Sequence, residues 1–561
     1  MRLFISNYLI YTLLFLVSFV AGNGILNENI YIKQFAFGVA FVAMTVVNLF
    51  LPQKHGEIRV KWGDVFVAAL LVVYLCFYIG TNNNLDFIQP FICFLFYLFM
   101  RMQAEEKPEE AIQALCRIVP MAMLLHVLCC VLQFFKFIPS FHGYFQVGST
   151  FGNPDMLGTY LAILSPFCYV GKGKKIFGII VLCLVIILLL LIQARTAIVA
   201  IAVAGILYLL QSGKLSKKIF FFWILPPLVV GLALLVWWHP ASVAGRLFIW
   251  WIALNMFISR PLGWGLFAFE KHYLEFQADY VARHDIPAIF TPDIVNSSYN
   301  EFLNVGVTLG IGGLLLFLLF VAFALFAVHK AKSPLLYPLC AFLIVSLTYF
   351  PLSIVPVAVI GVAFAALAIS HCSTSLVPFN LSKKWLFIPI VAPVMLLTWN
   401  NYHSYRQWQT AFSYGNDGQY DESNIRFAEL YPTMKGNGRF LITWANVQRQ
   451  VGDSVQCLQL MKEAEQFFCD NIFLGNLALL YEQNGQVEEA RICFEKAVNM
   501  IPDHFNIAYN RILFLQRIGQ EEEAYQAAVK LYNQPVRSKY YADPFIIKAR
   551  LKKLIQSKQE Q

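Results

Sequence analysis

The stretch from Ile176 to Leu210 reads IFGIIVLCLVIILLLLIQARTAIVAIAVAGILYLL, with a single charge, Arg195. A bilayer-spanning helix needs about 20 mostly apolar residues, with about 17 a practical minimum. The stretch therefore predicts two spans separated at Gln193-Ala-Arg195. The rest of the chain agrees. Of its 561 residues, 58% are hydrophobic and 13% charged, and mean hydropathy is +0.60. A soluble domain carries about a quarter charged residues. A soluble enzyme, a disordered chain and a secreted disulfide scaffold are excluded. The class is all-α, a polytopic helical membrane protein.

Outward from that stretch, apolar runs predict spans near 7–22, 31–52, 63–80, 86–100, 118–138, 154–170, 176–193, 196–210, 219–238, 303–328, 335–350, 354–370 and 386–399. That makes thirteen spans within a membrane domain at 1–399, with a long loop at 239–302. The least secure division lies near Pro351 and Pro356. Met1-Arg2 and the run after it imitate a signal peptide, but no small-residue cleavage site follows, so a retained first span is expected. Residues 400–561 carry 18 basic and 18 acidic side chains, so the net charge of +9 lies wholly in 1–399. It sits in short loops: Lys54, Arg59 and Lys61; Arg101, Lys107 and Arg117; Lys172, Lys174 and Lys175; Lys214, Lys217 and Lys218; Lys330 and Lys332; Lys383 and Lys384. The positive-inside rule accounts for this pattern without nucleic-acid binding. It predicts a cytoplasmic N-terminus. An odd span count then puts the 239–302 loop and the C-terminal part on the outer side.

Residues 400–561 are of another kind. Tyr481, Gly485, Ala490 and Ala497 recur 34 positions later as Leu515, Gly519, Ala524 and Leu531. Asn476–Pro502, NLALLYEQNGQVEEARICFEKAVNMIP, has small residues for a helix crossing, Gly at a turn and Pro at a helix end. It resembles the tetratricopeptide repeat. Weaker copies stand at Gly452, Cys457 and Ala464, and near Gly418. Residues 400–561 are thus expected to form an outer-side α-solenoid that binds proteins or chains and holds no catalytic group. The twelve cysteines contain no CxxC and read as small apolar fillers; no metal site is expected.

A transporter would show internal repeats and a channel a ring of pore-lining groups; neither pattern is present. The basic residues that break the charge rule are more informative: Lys33, Lys136, Arg195, Arg246, Arg260, Lys271 and Arg283. A charge at membrane depth costs at least about 2.5 kcal/mol, so Arg195 calls for a partner or an anionic ligand, unless it snorkels from a short turn. Gly245–Phe276 reads GRLFIWWIALNMFISRPLGWGLFAFEKHYLEF, and its first half suits an interfacial helix carrying Trp250 and Trp251. Arg246 and Arg260 lie about four turns apart on such a helix.

Four pieces in order resemble the O-antigen ligase and O-antigen polymerase superfamily. They are Thr150-Phe-Gly-Asn-Pro-Asp155; Gln193-Ala-Arg195; Arg246-x-x-x-Trp250 with Pro261-Leu-Gly-Trp-Gly265; and Tyr299-Asn-Glu-Phe-Leu303 running into Leu309-Gly-Ile-Gly-Gly313. With its repeat tail, the chain is more similar to the bacterial protein O-oligosaccharyltransferases and related ligases than to the polymerases. The resemblance implies a glycosyltransferase of the cytoplasmic (inner) membrane that moves a polyprenyl-diphosphate-linked glycan to lipid A core or a protein Ser/Thr. It works on the outer face, with no metal or cofactor. Repeat-unit polymerisation is the alternative within that chemistry, and a non-catalytic polysaccharide export or assembly scaffold the alternative outside it.

A departing diphosphate needs fixed positive charge, and Arg supplies it bidentately. Arg195 and Arg246 are the leading candidates. Arg260 is a weaker binding candidate beside Asn153, Asp155, Trp250, His272 and His284. The family often has His where this chain has Tyr299. Tyr has an ordinary pKa near 10 and is a poor base, so Tyr299, Asn300 and Glu301 are joint candidates for meeting the acceptor. Each also has an ordinary reading: surface Arg, solvated loop His, and an Asn-Pro turn.

Overall fold

The computed structural model describes residues 2–22, 28–50, 58–78, 84–105, 108–142, 145–171, 175–238, 240–284, 290, 292–372, 376–379, 388–536 and 544–559. Lys54, Lys107, Lys172, Lys174, Lys383 and Lys384 of the basic loops lie outside these residues. Among the described residues the regular structure is helical apart from one three-residue antiparallel pair, Ile58–Val60 with Val377–Phe379. It divides into two compact units. The first comprises Met1–Val229, Tyr299–Val305 and Ile311–Gln409; the second comprises Val230–Ser298, Gly306–Gly310 and Thr410–Gln561.

Where the chain is described, the expected runs fall mainly on helix, from Arg2–Leu16 through Glu301–Lys330 to Ile388–Asn416. The break near Pro351 is real. Helix Leu336–Ser346 ends, a 3-10 turn Pro351–Ser353 follows, and Val355–Ser370 begins with Pro in its first turn, where a missing N–H costs nothing. Two charges expected in solvated loops are instead buried. Arg101 is 1% exposed and pairs with Asp64 at 2.8 Å and Glu105 at 2.5 Å; Lys61 reaches Glu105 at 3.2 Å and the Ser370 carbonyl at 2.9 Å. Two acids against two bases leave no net buried charge, which is what lets such a cluster exist in a core.

The region expected as a loop at 239–302 opens with helix Pro240–Ser259. With Asn29–Phe50, Pro108–Phe134 and Glu301–Lys330 it is one of four described helices long and apolar enough to cross a bilayer. It therefore adds a helix of spanning length to the expected thirteen. Trp250 and Trp251 suit an interfacial helix, but the length and apolar character of the whole segment suit a span.

The second unit contains the repeat array. Gly418, Gly452, Gly485 and Gly519 all have left-handed backbone, with φ between 73° and 90°. Each closes a helix so that the next can turn back, and only glycine adopts that conformation without strain. The paired helices include Gly438–Val451 with Ser454–Ala464, Asn471–Gln483 with Val487–Met500, and Phe505–Arg517 with Glu521–Asn533. Ala464, Ala490, Ala497 and Ala524 are 0–1% exposed. These are the small residues expected where two helices cross.

Candidate functional site

Within the first unit, the Thr150–Asp155 motif is a turn clamped from below. Ser149 has φ +50° and Gly152 φ +72°. Gln133 accepts from the Gly148 and Ser149 amides at 3.1 and 2.7 Å and donates to the Ser149 carbonyl at 3.1 Å. His126 bridges Ser149 Oγ at 2.8 Å and Ser18 Oγ at 2.9 Å. Lys33, 4% exposed, donates to the Thr150 carbonyl at 2.6 Å and to Asn29 at 2.7 Å. One basic residue that broke the charge rule is thereby assigned to holding this turn. The turn ends at Asn153, whose side chain caps helix Pro154–Leu164 by accepting from Asp155 N at 2.8 Å. Asp155 itself is exposed.

That helix packs closely on the next motif. A Cβ on Gly158 would lie 2.7 Å from the Ala194 Cβ. Gln193 has φ +58°, and Arg195 opens helix Arg195–Gln211 with no side chain capping it. A cation is unfavourable at the positive end of a helix dipole, and the first amides there lack intrahelical acceptors. Thr196 accepts a hydrogen bond from Thr348 at 3.3 Å. The same 347–352 turn reaches the third motif: Asn300 donates to the Leu347 carbonyl at 3.2 Å, and Glu301 accepts from Leu352 N at 3.1 Å. Asn300 also caps helix Glu301–Lys330, accepting from Phe302 N and Leu303 N. Glu301 is 2% exposed. Tyr299, at φ +50°, stands 5.3 Å from the Phe350 ring. Three sequence motifs thus share one neighbourhood through Gly158 and the 347–352 turn.

The other candidates belong to the second unit. Arg246 and Trp250 are one turn apart on Pro240–Ser259, so they share a face. Trp250 Nε1 is buried and has no hydrogen-bond partner among the described residues. Arg260 lies beyond the helix end, exposed, with its guanidinium 5.4 Å from the Trp264 ring centroid. The Pro261–Gly265 motif meets the glycine motif: Trp264 N and Gly265 N donate to the Val307 and Thr308 carbonyls at 2.8 and 3.0 Å. Gly310 kinks its helix at φ +70°, and a Cβ there would lie 2.4 Å from the Leu262 carbonyl carbon. The two glycine-rich pieces are therefore one contact.

His272 contacts Glu275 at 3.0 Å, and its ring lies 4.5 Å from that of Trp264. His284 is exposed and stacks on Tyr280 at 4.2 Å. Between them, helix Leu274–Arg283 packs on the repeats. Lys496 donates to Glu275 at 2.5 Å, fully buried Gln277 donates to the Met500 carbonyl at 2.7 Å, and Cys469 N donates to the Glu270 carbonyl at 3.0 Å. Burial pushes the Glu270 carboxyl up, with Arg439 opposing it. Burial would also raise Glu275, but the hydrogen bonds from His272 and Lys496 outweigh it and hold that carboxyl below its ordinary range.

Residues 179–318 match the family described as O-antigen ligase. The matched region contains Arg195, Arg246, Trp250, Arg260, the Pro261–Gly265 motif, Tyr299–Glu301 and Gly310, and the match supports a ligase- or glycosyltransferase-like role for this membrane protein. Residues 473–504 match a tetratricopeptide repeat, and the left-handed glycines extend that array on both sides of the match. No curated protein matches the chain. The buried clamps Lys33, His126 and Gln133 lie upstream of the O-antigen ligase match. Sequence reasoning left out the last two, although both are polar within an expected span and fall seven residues apart, on one helix face.

Proposed function

We propose that the protein transfers a polyprenyl-diphosphate-linked glycan to an acceptor hydroxyl on the outer side of a bacterial cytoplasmic membrane. Its N-terminus is cytoplasmic and its repeat tail periplasmic. The acceptor oxygen bonds to the anomeric carbon, and the bond from that carbon to the diphosphate breaks with its electron pair on the diphosphate. The hydroxyl proton passes to water. The observation that carries this reading is Arg195 at the first position of an uncapped helix. The Arg195 amide donates to the Gln193 carbonyl at 2.9 Å, and the guanidinium together with the amides that follow in the first turn suits a phosphate oxygen. Arg246, one helical turn from Trp250, whose N–H has no partner among the described residues, supplies a second cation to the diphosphate. Asp155, Asn153, Arg260, His272 and His284 contact the glycan or the acceptor. Tyr299, Asn300 and Glu301 shape the acceptor side. The acceptor is lipid A core or a protein Ser/Thr, and the repeats receive it or a partner protein.

The test is Arg195→Ala and Arg246→Ala, followed by the level of lipid-linked glycan in membranes that still contain the protein. Losing one such donor costs about 3 kcal/mol, roughly a hundredfold in rate. Lipid-linked donor should accumulate, and Arg→Lys should restore only part of the transfer, since an ammonium lacks the planar fork. Wild-type transfer by the double alanine variant would overturn the mechanism.

A further inference from the structure

The basic end of the first unit contains a cavity of about 490 Å³ that the proposed transfer does not use. Its walls come from helices Pro108–Phe134 and Lys175–Leu191 and from the short helix Phe167–Val170 between them. Those two long helices pack together, and the joint is tight at its floor, where a Cβ on Gly178 would lie 2.2 Å from the Cys168 carbonyl oxygen. The mouth has Gln113, Arg117 and Lys175, the deeper wall has the buried Pro120, Phe167 and Cys168, and Met121 and Phe177 stand exposed at its edge. Among the described residues, no acidic side chain lines it.

What leads away from the mouth identifies the ligand. On the first helix Gln113, Arg117, Met121, Leu125, Leu128 and Leu132 follow one another at helical spacing and are all exposed. On the second, Lys175 begins a helix whose Ile176, Ile179, Ile180, Leu184 and Ile187 are exposed, while Val181 and Val185 are buried. A cationic mouth thus continues into an apolar groove between two outward faces. A soluble anion would use the charges and leave the groove empty. A lipid with a phosphate head fills both.

We infer that this cavity binds an anionic glycerophospholipid of the bilayer, its phosphodiester on Arg117 and Lys175 and its acyl chains along the exposed faces of the two helices. Arg117 offers a bidentate fork to the phosphate, and its guanidinium is steadied 5.9 Å from the Tyr8 ring centroid. Basic pockets between spanning helices on the cytoplasmic side are the expected place for such head groups. The site is independent of the transfer reaction, so either proposal can fail alone.

The test is native mass spectrometry of the full-length protein in neutral detergent, titrated with phosphatidylglycerol and with phosphatidylcholine. The wild type should retain phosphatidylglycerol in preference to phosphatidylcholine. Arg117→Ala and Lys175→Ala should each weaken that binding roughly fivefold, about the worth of one cation near a membrane surface. Lys330→Ala, a basic residue outside the cavity, should leave it unchanged. Met121→Trp should also lose the adduct by filling the groove while keeping both charges, so a charge effect and a cavity effect are read separately. Lys175 is exposed at a helix start, so its variant keeps the fold testable. Equal retention of both lipids, equal loss in Lys330→Ala, or complete displacement by millimolar glycerol phosphate would overturn the inference.

Discussion

Lys496 donates to Glu275 at 2.5 Å, and this ion pair joins the O-antigen ligase region to the tetratricopeptide repeat. Nothing in the local pattern of either segment points to the other across 221 positions. The pair is half-exposed and worth about 0.5–1 kcal/mol at most. The fully buried Gln277, bonded to the Met500 carbonyl, adds specificity, because stranding either group costs about 1–3 kcal/mol. The repeat array therefore holds a segment of its own chain, and a partner-binding role must use what that segment leaves open.

That contact has a predictable pH dependence. Glu275 lies below its ordinary value of 4.5, so its contribution is complete above 4.5 and disappears as pH falls through the lowered folded value. Burial would lower Lys496, but Glu275 raises it, so its contribution is complete below 10.5 and is lost only as pH rises through the raised value. Hydrogen exchange of residues 268–283 should therefore stay slow near neutrality and speed up below about pH 4.5, after correction for intrinsic exchange. Glu275→Gln should abolish that acid limb. An unchanged acid limb in the variant would show that another group controls it.

The same contact constrains topology. Four described helices, Glu301–Lys330, Leu336–Ser346, Val355–Ser370 and Ile388–Asn416, separate the 268–298 segment from the repeats. Glu275 and Lys496 can meet only if both lie on one side of the membrane. A periplasm-dependent reporter after Gln561 and a second one inserted at Asp293 should both be active. Opposite signals would break the pairing, and two cytoplasmic signals would mean that Pro240–Ser259 shifts the parity of the spans.

Gly310 offers a paired test of the kink. Alanine there would force a side chain onto φ +70° and into the Leu262 backbone, whereas a Cβ on Gly312, two residues on, would meet nothing within 4 Å. Gly310→Ala should destabilise the protein by more than about 1 kcal/mol and disturb the Pro261–Gly265 turn. Gly312→Ala should be neutral or stabilising by up to about 1 kcal/mol, since helix entropy alone changes. Melting temperatures in detergent decide the matter: similar losses in both variants would remove the steric argument.

The sequence was most readable where structure repeats locally. The 34-residue period led directly to Gly485 and Gly519, and even the weak copies at Gly452 and Gly418 fall on left-handed turns. Apolar runs located the helices, because burial of backbone polar groups leaves a membrane segment few other forms. The candidate site was legible as motifs and not as contacts. Asn153 and Asn300 are helix caps as well as motif residues, and a cap depends on where the helix starts. Lys33, His126 and Gln133 come together only after three helices have packed. Glu275–Lys496 and Leu262–Gly310 are likewise products of tertiary structure, which a single sequence does not encode as spacing.

Tyr299 is the most informative position to change. Its φ of +50° is costly for a residue with a Cβ, and His is several-fold more frequent there than most side chains. A backbone reason therefore exists for histidine at this position, apart from any role as a base. Tyr299→His should relax the turn before Asn300 and keep or raise transfer. Tyr299→Val, β-branched and unsuited to left-handed backbone, should lower stability by about 1–3 kcal/mol. Tyr299→Gly should remove the strain but lose the ring contacts with Tyr349 and Phe350. Transfer per folded molecule, measured beside melting temperature, separates the cases. If position 299 serves conformation, activity should follow stability across the three variants. If it acts on the acceptor proton, the histidine variant alone should gain a pH-dependent limb near 6.5. A glycine variant equal to the histidine variant in both measurements would exclude the proton-transfer role.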